Sequence, residues 1–320
     1  MHDPIRRTLV AAVTATLTCV AINAAAAQDY PARPISVIVP YGAGGQTDLA
    51  GRLIAEALSA ELGQTVTVVN KPGAGGVTGT AELAATTPNG YTLGLATSTP
   101  ILQKPHISKT PYTYESFDYI CRVNHNPLLF AVKKDSDINT VEDLIKFGKS
   151  GKRITYGSSG EASVQHIAMT ILSERSGVKM VHVPNTADTD NLRNILAGVL
   201  TGTLVPASVV AANADTVKPI GLMDTQRLSN FPNIGTFAEA GYDITAAVWG
   251  ILVGPKGLDK PVLAKLRKAC ADGQATDKFK KEIVKLGMQP AYLDGDASLE
   301  LVAKETKDSI IALKQMGFAK

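Results

Sequence analysis

Short β-branched runs alternate along the chain with stretches whose apolar residues recur every three or four positions, the arrangement of α/β units on parallel strands. Residues 36–40 and 65–69 read as strands flanking a helix over 49–62, where Leu53, Ala57 and Leu58 form one stripe and Gly63 ends it. A second set follows, with strands at 154–156, 180–183 and 219–222 and helices over 164–176, stopped by Gly177, and near 189–197. Helices over 261–270, 278–286 and 298–316 close the chain. Two apolar strands, 128–132 and 246–253, bracket the middle third. If both pass between lobes, residues 28–124 plus 254–320 form one α/β lobe and 125–253 the other, joined by two crossing strands that permit hinge closure.

A length of 320 residues suits two such units, and 45% hydrophobic content with only 19% charge places the chain among globular proteins rather than disordered ones. A net charge of +3 without a basic stripe excludes nucleic acid as a partner. Ahead of the first strand, Arg6 and Arg7, an apolar run over 9–22 and Ala25-Ala26-Ala27 follow the order of a signal peptide, residues 1–27, and the run falls short of the ~20 residues that span a bilayer. The mature chain is therefore expected in the periplasm, starting near Gln28. Thr18 before Cys19 argues against a lipid anchor. Cys121 and Cys270 are read as small core residues; an oxidising compartment permits a bridge between them, but sequence does not disclose one.

One short motif occurs twice. The run Val37-Ile38-Val39-Pro40-Tyr41 leads into Gly42-Ala43-Gly44-Gly45-Gln46-Thr47, and Val66-Thr67-Val68-Val69-Asn70 leads, after Lys71-Pro72, into Gly73-Ala74-Gly75-Gly76-Val77-Thr78. Each is strand, glycine loop, helix start. On neighbouring parallel strands the two loops lie side by side at the carboxyl edge of the sheet, where open α/β sheets bind ligands. Lacking Cβ atoms, the loops let backbone N–H groups converge, and each helix start adds unpaired donors and partial positive charge. The guest this predicts is an anion. Thr47 and Thr78 either donate to it or cap their helices. A nucleotide is disfavoured, since Thr47 and Thr78 stand where the dinucleotide fingerprint needs glycine and neither loop is followed by Lys-Ser or Lys-Thr.

At these residues the sequence resembles the substrate-binding proteins of tripartite tricarboxylate transporters, the Bug family of periplasmic receptors. The resemblance is carried by YPARPISVIVPYGAGGQTDLAGR (30–52) and NKPGAGGVTGTAELAATTPNGYTLGL (70–95). It continues through Tyr156-Gly157-Ser158-Ser159-Gly160 with His166, the stretch 231–241, Trp249-Gly250 and Gly254-Pro255, and so covers nearly the whole mature chain. It implies a type II periplasmic-binding architecture, a monomer of two α/β lobes closing on a small carboxylate, without catalysis, cofactor or metal. It also implies membrane permease subunits as partners and names Tyr41, Ala43, Gly44, Gly45, Thr47 and Asp48 in the first loop, and Ala74, Gly75 and Gly76 in the second, as ligand-binding. A carboxylate cannot itself donate to another, so Asp48 is assigned to organising the loop. Lobe two departs from the pattern. Where relatives show Pro-Tyr-Lys-Gly this chain has Pro184-Asn185-Thr186-Ala187, and where a Gly-Gly-x-x-Asp stretch is usual it has residues 197–201, ending in Thr201. Asn185, Thr186 and Thr201 are therefore expected to read the far end of a dicarboxylate or aromatic acid.

Ser158, Ser159 and Ser163 are expected to donate hydrogen bonds at a helix start, with His166 beside them. A hydrolase elbow is not met, because Glu161 stands where its second glycine belongs. The five histidines do not cluster and no Cys or His pair has ligand spacing. Trp249 is read equally as core or cleft lining, and Arg122 and Lys104 either pair with a second carboxylate or, as the default, stand as solvated surface charges. The alternatives to a transport receptor are a sensory binder for a membrane kinase and an enzyme acting on a bound acid; the latter lacks an assembled nucleophile, base and orienting group.

Overall fold

The computed structural model describes residues 30–185 and 188–318. The signal stretch 1–27 and Thr186 lie outside them. The chain is two-lobed and mixed α/β. The first sheet starts with β1 (Ile35–Val39), α1 (Gln46–Leu62), β2 (Val66–Asn70), α2 (Val77–Ala84) and β3 (Thr92–Thr97). A π-helical turn, Thr99–Gln103, then runs into the short α3 (Lys104–Ile107) and on to β4 (Phe117–Lys133). The second sheet is built from α4 (Val141–Lys149), β5 (Ile154–Ser158), α5 (Val164–Ser176), β6 (Met180–Pro184), α6 (Asp188–Leu196), β7 (Gly202–Pro206), α7 (Ala207–Ala212) and β8 (Val217–Leu222). The chain returns through β9 (Ala247–Pro255) to α8 (Lys260–Ala275), α9 (Asp277–Lys285), β10 (Gln289–Asp294) and α10 (Gly295–Gln315). None of these helices is long and apolar enough to cross a membrane.

Strands run in the order β2-β1-β3-β9-β4-β7-β5-β6, with β10 and β8 also paired to β4. The βαβ units are parallel as the periodicity predicts, β2 and β3 on β1 and β6 and β7 on β5, whereas β9, β4 and β10 run antiparallel to their neighbours. Of the 17-residue β4, residues 117–127 pair with β9 and residues 128–133 with β7 and β8. Partner exchange thus falls between Pro127 and Leu128. The pattern-based seam at 253/254 cuts through β9, which pairs with β3 and β4 along its length: an apolar run does not disclose which sheet it joins.

Helix α1 shows how sequence sets packing. Its stripe buries Leu53, Ile54 and Leu58 with Val37 and Val39 of β1, and complete burial of such a side chain stabilises by roughly 1.5–3 kcal/mol. Gly51 permits the contact, because a Cβ there would stand 2.7 Å from Val39 Cγ2. Gly63, left-handed at φ 65°, ends the helix and donates to the Ser59 carbonyl. In the same core Cys121 of β4 and Cys270 of α8 form a disulfide across 149 positions, so the reading as two small core residues is corrected: they are buried and joined.

A second core fills lobe two, where Phe130, Leu144, Met169 and Phe237 come together. A smaller cluster bridges the lobes. The end of α10 (Ala312, Leu313) and Ile107 of α3 pack with Ala162 and Ile167 at the start of α5.

Candidate functional site

Because β1 and β2 are parallel neighbours with Val39 opposite Asn70, both glycine loops emerge at one edge. Residues 42–45 and 73–75 are exposed there and Gly76 is buried. In the first loop Gly44 has φ +83°, and its N–H donates to Asp48 Oδ2 (2.9 Å). Asp48 is 1% exposed and also accepts from Arg52 Nε (2.9 Å) and Asn70 Nδ2 (2.9 Å), while the Asn70 amide reaches the Tyr41 carbonyl at 3.0 Å. Burial alone would raise the Asp48 carboxyl. The hydrogen bonds from Arg52, Gly44 and Asn70 outweigh it and hold the group below its ordinary value, ionised.

The second loop is a single 3₁₀ turn, Ala74–Gly76, with positive φ at Gly73, Ala74, Gly75 and Gly76. Its Gly76 N–H is taken by the Gly73 carbonyl at 2.9 Å. Gly44 and Gly76 therefore shape the loops rather than offer donors. Open amides remain at Gly45, at the first residues of α1 and at Gly75, and neither helix is capped by a side chain. That decides the question left at Thr47 and Thr78: neither hydroxyl caps. The Tyr41 phenol joins the loops, lying 3.3 Å from Thr97 Oγ1 and donating to the Gly75 carbonyl at 3.5 Å. Burial raises it against the Thr97 hydrogen bond, so it stays protonated.

Lobe two presents the carboxyl edges of β5, β6 and β7. Ser158, fully buried, donates to the Gly160 carbonyl (2.9 Å) and lies 2.6 Å from His182 Nε2. Ser163 is the N-cap of α5, accepting from the His166 amide at 3.3 Å. Both side chains are buried, Ser158 giving its proton to the Gly160 carbonyl and Ser163 accepting at the helix start, whereas Ser159 is exposed and donates to Gln165 Oε1 at 3.1 Å. His166 accepts from the Ala162 amide through Nδ1 (3.1 Å) and stacks on His182 at 3.7 Å between centroids. Burial, with His182 second, pushes His166 down to about 4; burial also lowers His182 against the pull of Glu161. The pair is neutral at pH 7.

Asn185 follows β6 at this edge, its amide held by Asn191 Oδ1 (2.8 Å) and its carbonyl oxygen by Asn194 Nδ2 (3.0 Å). Thr201 does not join it. It precedes β7, bonded to Thr155 and near the Arg153 carbonyl at the amino end of β5, because a strand's two ends are indistinguishable in a hydrophobic run. At the other end of β7 stands a residue the sequence reading missed: Ser208 takes a hydrogen bond from Gln46 Nε2 across the lobes, and Gln46 Oε1 lies 3.4 Å from Asn126 Nδ2. A polar residue just after a glycine loop was the available signal. Trp249 is core, 1% exposed, with Nε1 donating to half-buried Glu305 of α10 at 2.7 Å. Arg122 is half-buried rather than solvated, its Nε donating to the Ala291 carbonyl at 2.7 Å.

A family model described as tripartite tricarboxylate transporter family receptor matches residues 50–318. The UPF0065 protein in the gbd 5' region of Cupriavidus necator is 30% identical over 320 residues, 99% of this chain and 98% of its own length. Among solved structures, a TctC solute binding protein from Polaromonas superposes with TM-score 0.79 at 31% identity, covering 89% of this chain and 99% of its own. An R. palustris protein with adipate superposes with TM-score 0.80 at 24% identity, over 91% of this chain and 99% of its own, a likeness of fold.

Proposed function

Because the chain belongs to the tripartite tricarboxylate transporter receptor family, solute-binding receptors of periplasmic-binding fold, we propose that it captures a small carboxylate and delivers it to membrane permease subunits. The observation that carries this reading is the pairing of two glycine loops with open amides at Gly45, α1 and Gly75 on one sheet edge. An anion with two oxygens suits such a pair, because each oxygen accepts from more than one N–H and the helix ends add favourable potential. Tyr41, Ala43, Gly44, Thr47, Ala74 and Gly76 frame the carboxylate, and Asp48 fixes the first loop.

The far end of the guest meets lobe two, near Ser159, Asn185 and the His166–His182 pair. A dicarboxylate or an aromatic acid fits this division of labour, and the adipate held by the R. palustris protein is an acid of that kind. The receptor binds without turnover: the Ser158 hydroxyl lies beside His182 but is fully buried, out of reach of a substrate carbonyl. Export to the periplasm with loss of residues 1–27 is supported by the arginine-led apolar leader.

A thermal-shift screen of C4 to C6 dicarboxylates and aromatic acids is the test. A guest at a hundred times its Kd adds about 2.7 kcal/mol of stability to the native state. Stabilisation by nucleotides or sugars, with no acid active, would reject the reading.

A further inference from the structure

Lys104 opens α3, directly after the π-helical turn that covers the second glycine loop. Within that turn Pro100 closes over Gly76, where a Cβ would stand 3.1 Å from both Pro100 Cγ and Tyr41 Oη. Lys104 completes the cover. A Cβ at Gly75 would meet Lys104 Cε at 3.1 Å and Nζ at 3.6 Å, so the ammonium occupies the volume that any larger side chain at position 75 would fill. One turn later Ile107 packs against the small cluster that Ala162 and Ile167 of lobe two form with Ala312 and Leu313 of α10, which sets α3 beside the place where the lobes meet.

The charges around it are already matched. Lys71 pairs with Glu82 at 3.2 Å and Arg52 with Asp48 at 2.9 Å, whereas Lys104, half-buried, makes no ion pair among the described residues. An unmatched ammonium beside exposed amides favours an anion with full negative charge over a neutral polar group, because a charge-assisted hydrogen bond is about twice as strong as a neutral one.

We propose that Lys104 is a specificity-determining residue, an ion-pair partner for the carboxylate seated on the second glycine loop, so that this receptor selects ionised acids over their amides and esters. The inference rests on the carboxylate reading above and adds to it a side-chain cation at a loop otherwise made of backbone donors. A guest anchored in this way associates faster at low salt, since the ammonium acts before contact is made.

The test is calorimetric titration of the wild type, Lys104→Met, Lys104→Gln, Lys104→Arg and Lys71→Met with succinate, glutarate, adipate, benzoate and adipamide. For whichever acid the wild type binds, Lys104→Met and Lys104→Gln should weaken affinity about tenfold and flatten its salt dependence, the size of one partly exposed charge-assisted contact. Lys104→Arg should stay within a few-fold and Lys71→Met unchanged, and adipamide should bind no better to the wild type than to Lys104→Met. Affinity within twofold of wild type in both neutral variants, with matching circular dichroism, overturns the role of Lys104 while leaving the carboxylate reading standing. A wild type that binds none of the acids overturns both.

Discussion

Replacing Asp48 with Asn tests the idea that one buried carboxylate builds the first glycine loop. The side chain is 1% exposed and accepts three hydrogen bonds of 2.9 Å, from Gly44 N–H, Arg52 Nε and Asn70 Nδ2. An amide has one acceptor oxygen. If its NH₂ replaces Oδ2 it confronts both Gly44 and Arg52; if it replaces Oδ1 it confronts Asn70, which is also tied to the Tyr41 carbonyl. The less costly orientation still sets one donor against another and weakens the remaining two bonds from charge-assisted to neutral. With hydrogen bonds to charged groups contributing about 1.5–3 kcal/mol and Arg52 free to re-solvate, the net loss is about 2–3 kcal/mol. In urea this moves the midpoint down by about 1 M for a slope near the upper end of the usual range. The carboxyl titrates lower in the folded than in the unfolded chain, so its stabilisation is present above the unfolded value near ~3.9 and is lost as pH falls through the folded one. The gap between wild type and variant should therefore be full at pH 7 and shrink toward pH 3, and the loosened Gly44 turn should weaken carboxylate binding by about tenfold. A variant within about 0.5 kcal/mol of wild type at pH 7, with unchanged affinity, would refute the assignment.

Two further outcomes follow from other parts of the fold. Replacing both Cys121 and Cys270 with Ala should lower stability by up to about 5 kcal/mol in the chain-entropy limit for a bridge across 149 positions, seen as a lower Tm that reductant no longer changes; equal Tm values with and without the bridge would contradict it. His166 titrates at about 4 in the folded chain against ~6.5 unfolded, so the unfolded state binds the proton first and stability should fall as pH drops from about 6.5 to about 4. His166→Phe should flatten the Tm profile in that window, leaving the smaller slope from His182, and an unaltered slope would count against a buried neutral pair.

The glycine loops, the helix over 164–176 and its stop at Gly177 were legible because each depends on local chemistry: positive φ, a strand that ends, an apolar stripe. What stayed hidden depends on distance along the chain. Cys121 and Cys270 are 149 positions apart, and Gln46 meets Ser208 across 162, so neither contact leaves a periodic trace. The first half of β4 was hidden for a different reason. Asn124, His125, Asn126 and Pro127 break its apolar run at the place where it crosses between sheets. Thr201 was misplaced because its neighbours fix a strand but not the strand's direction relative to the cleft. Ser158 and Ser163 looked like open hydroxyls, and only their partners reveal that one supports a histidine and the other a helix.

Strand β4 carries a consequence for how the molecule comes apart. Ile120 and Val123 belong to the first core and Leu128, Phe130 and Val132 to the second, on one continuous strand. Melting either lobe frays one half of a strand whose other half is central to the second sheet, and a cut between Pro127 and Leu128 would sever the strand that both sheets share. A strand divided between two cores in this way ties the lobes into one cooperative unit, in which neither completes its sheet without the same stretch of chain.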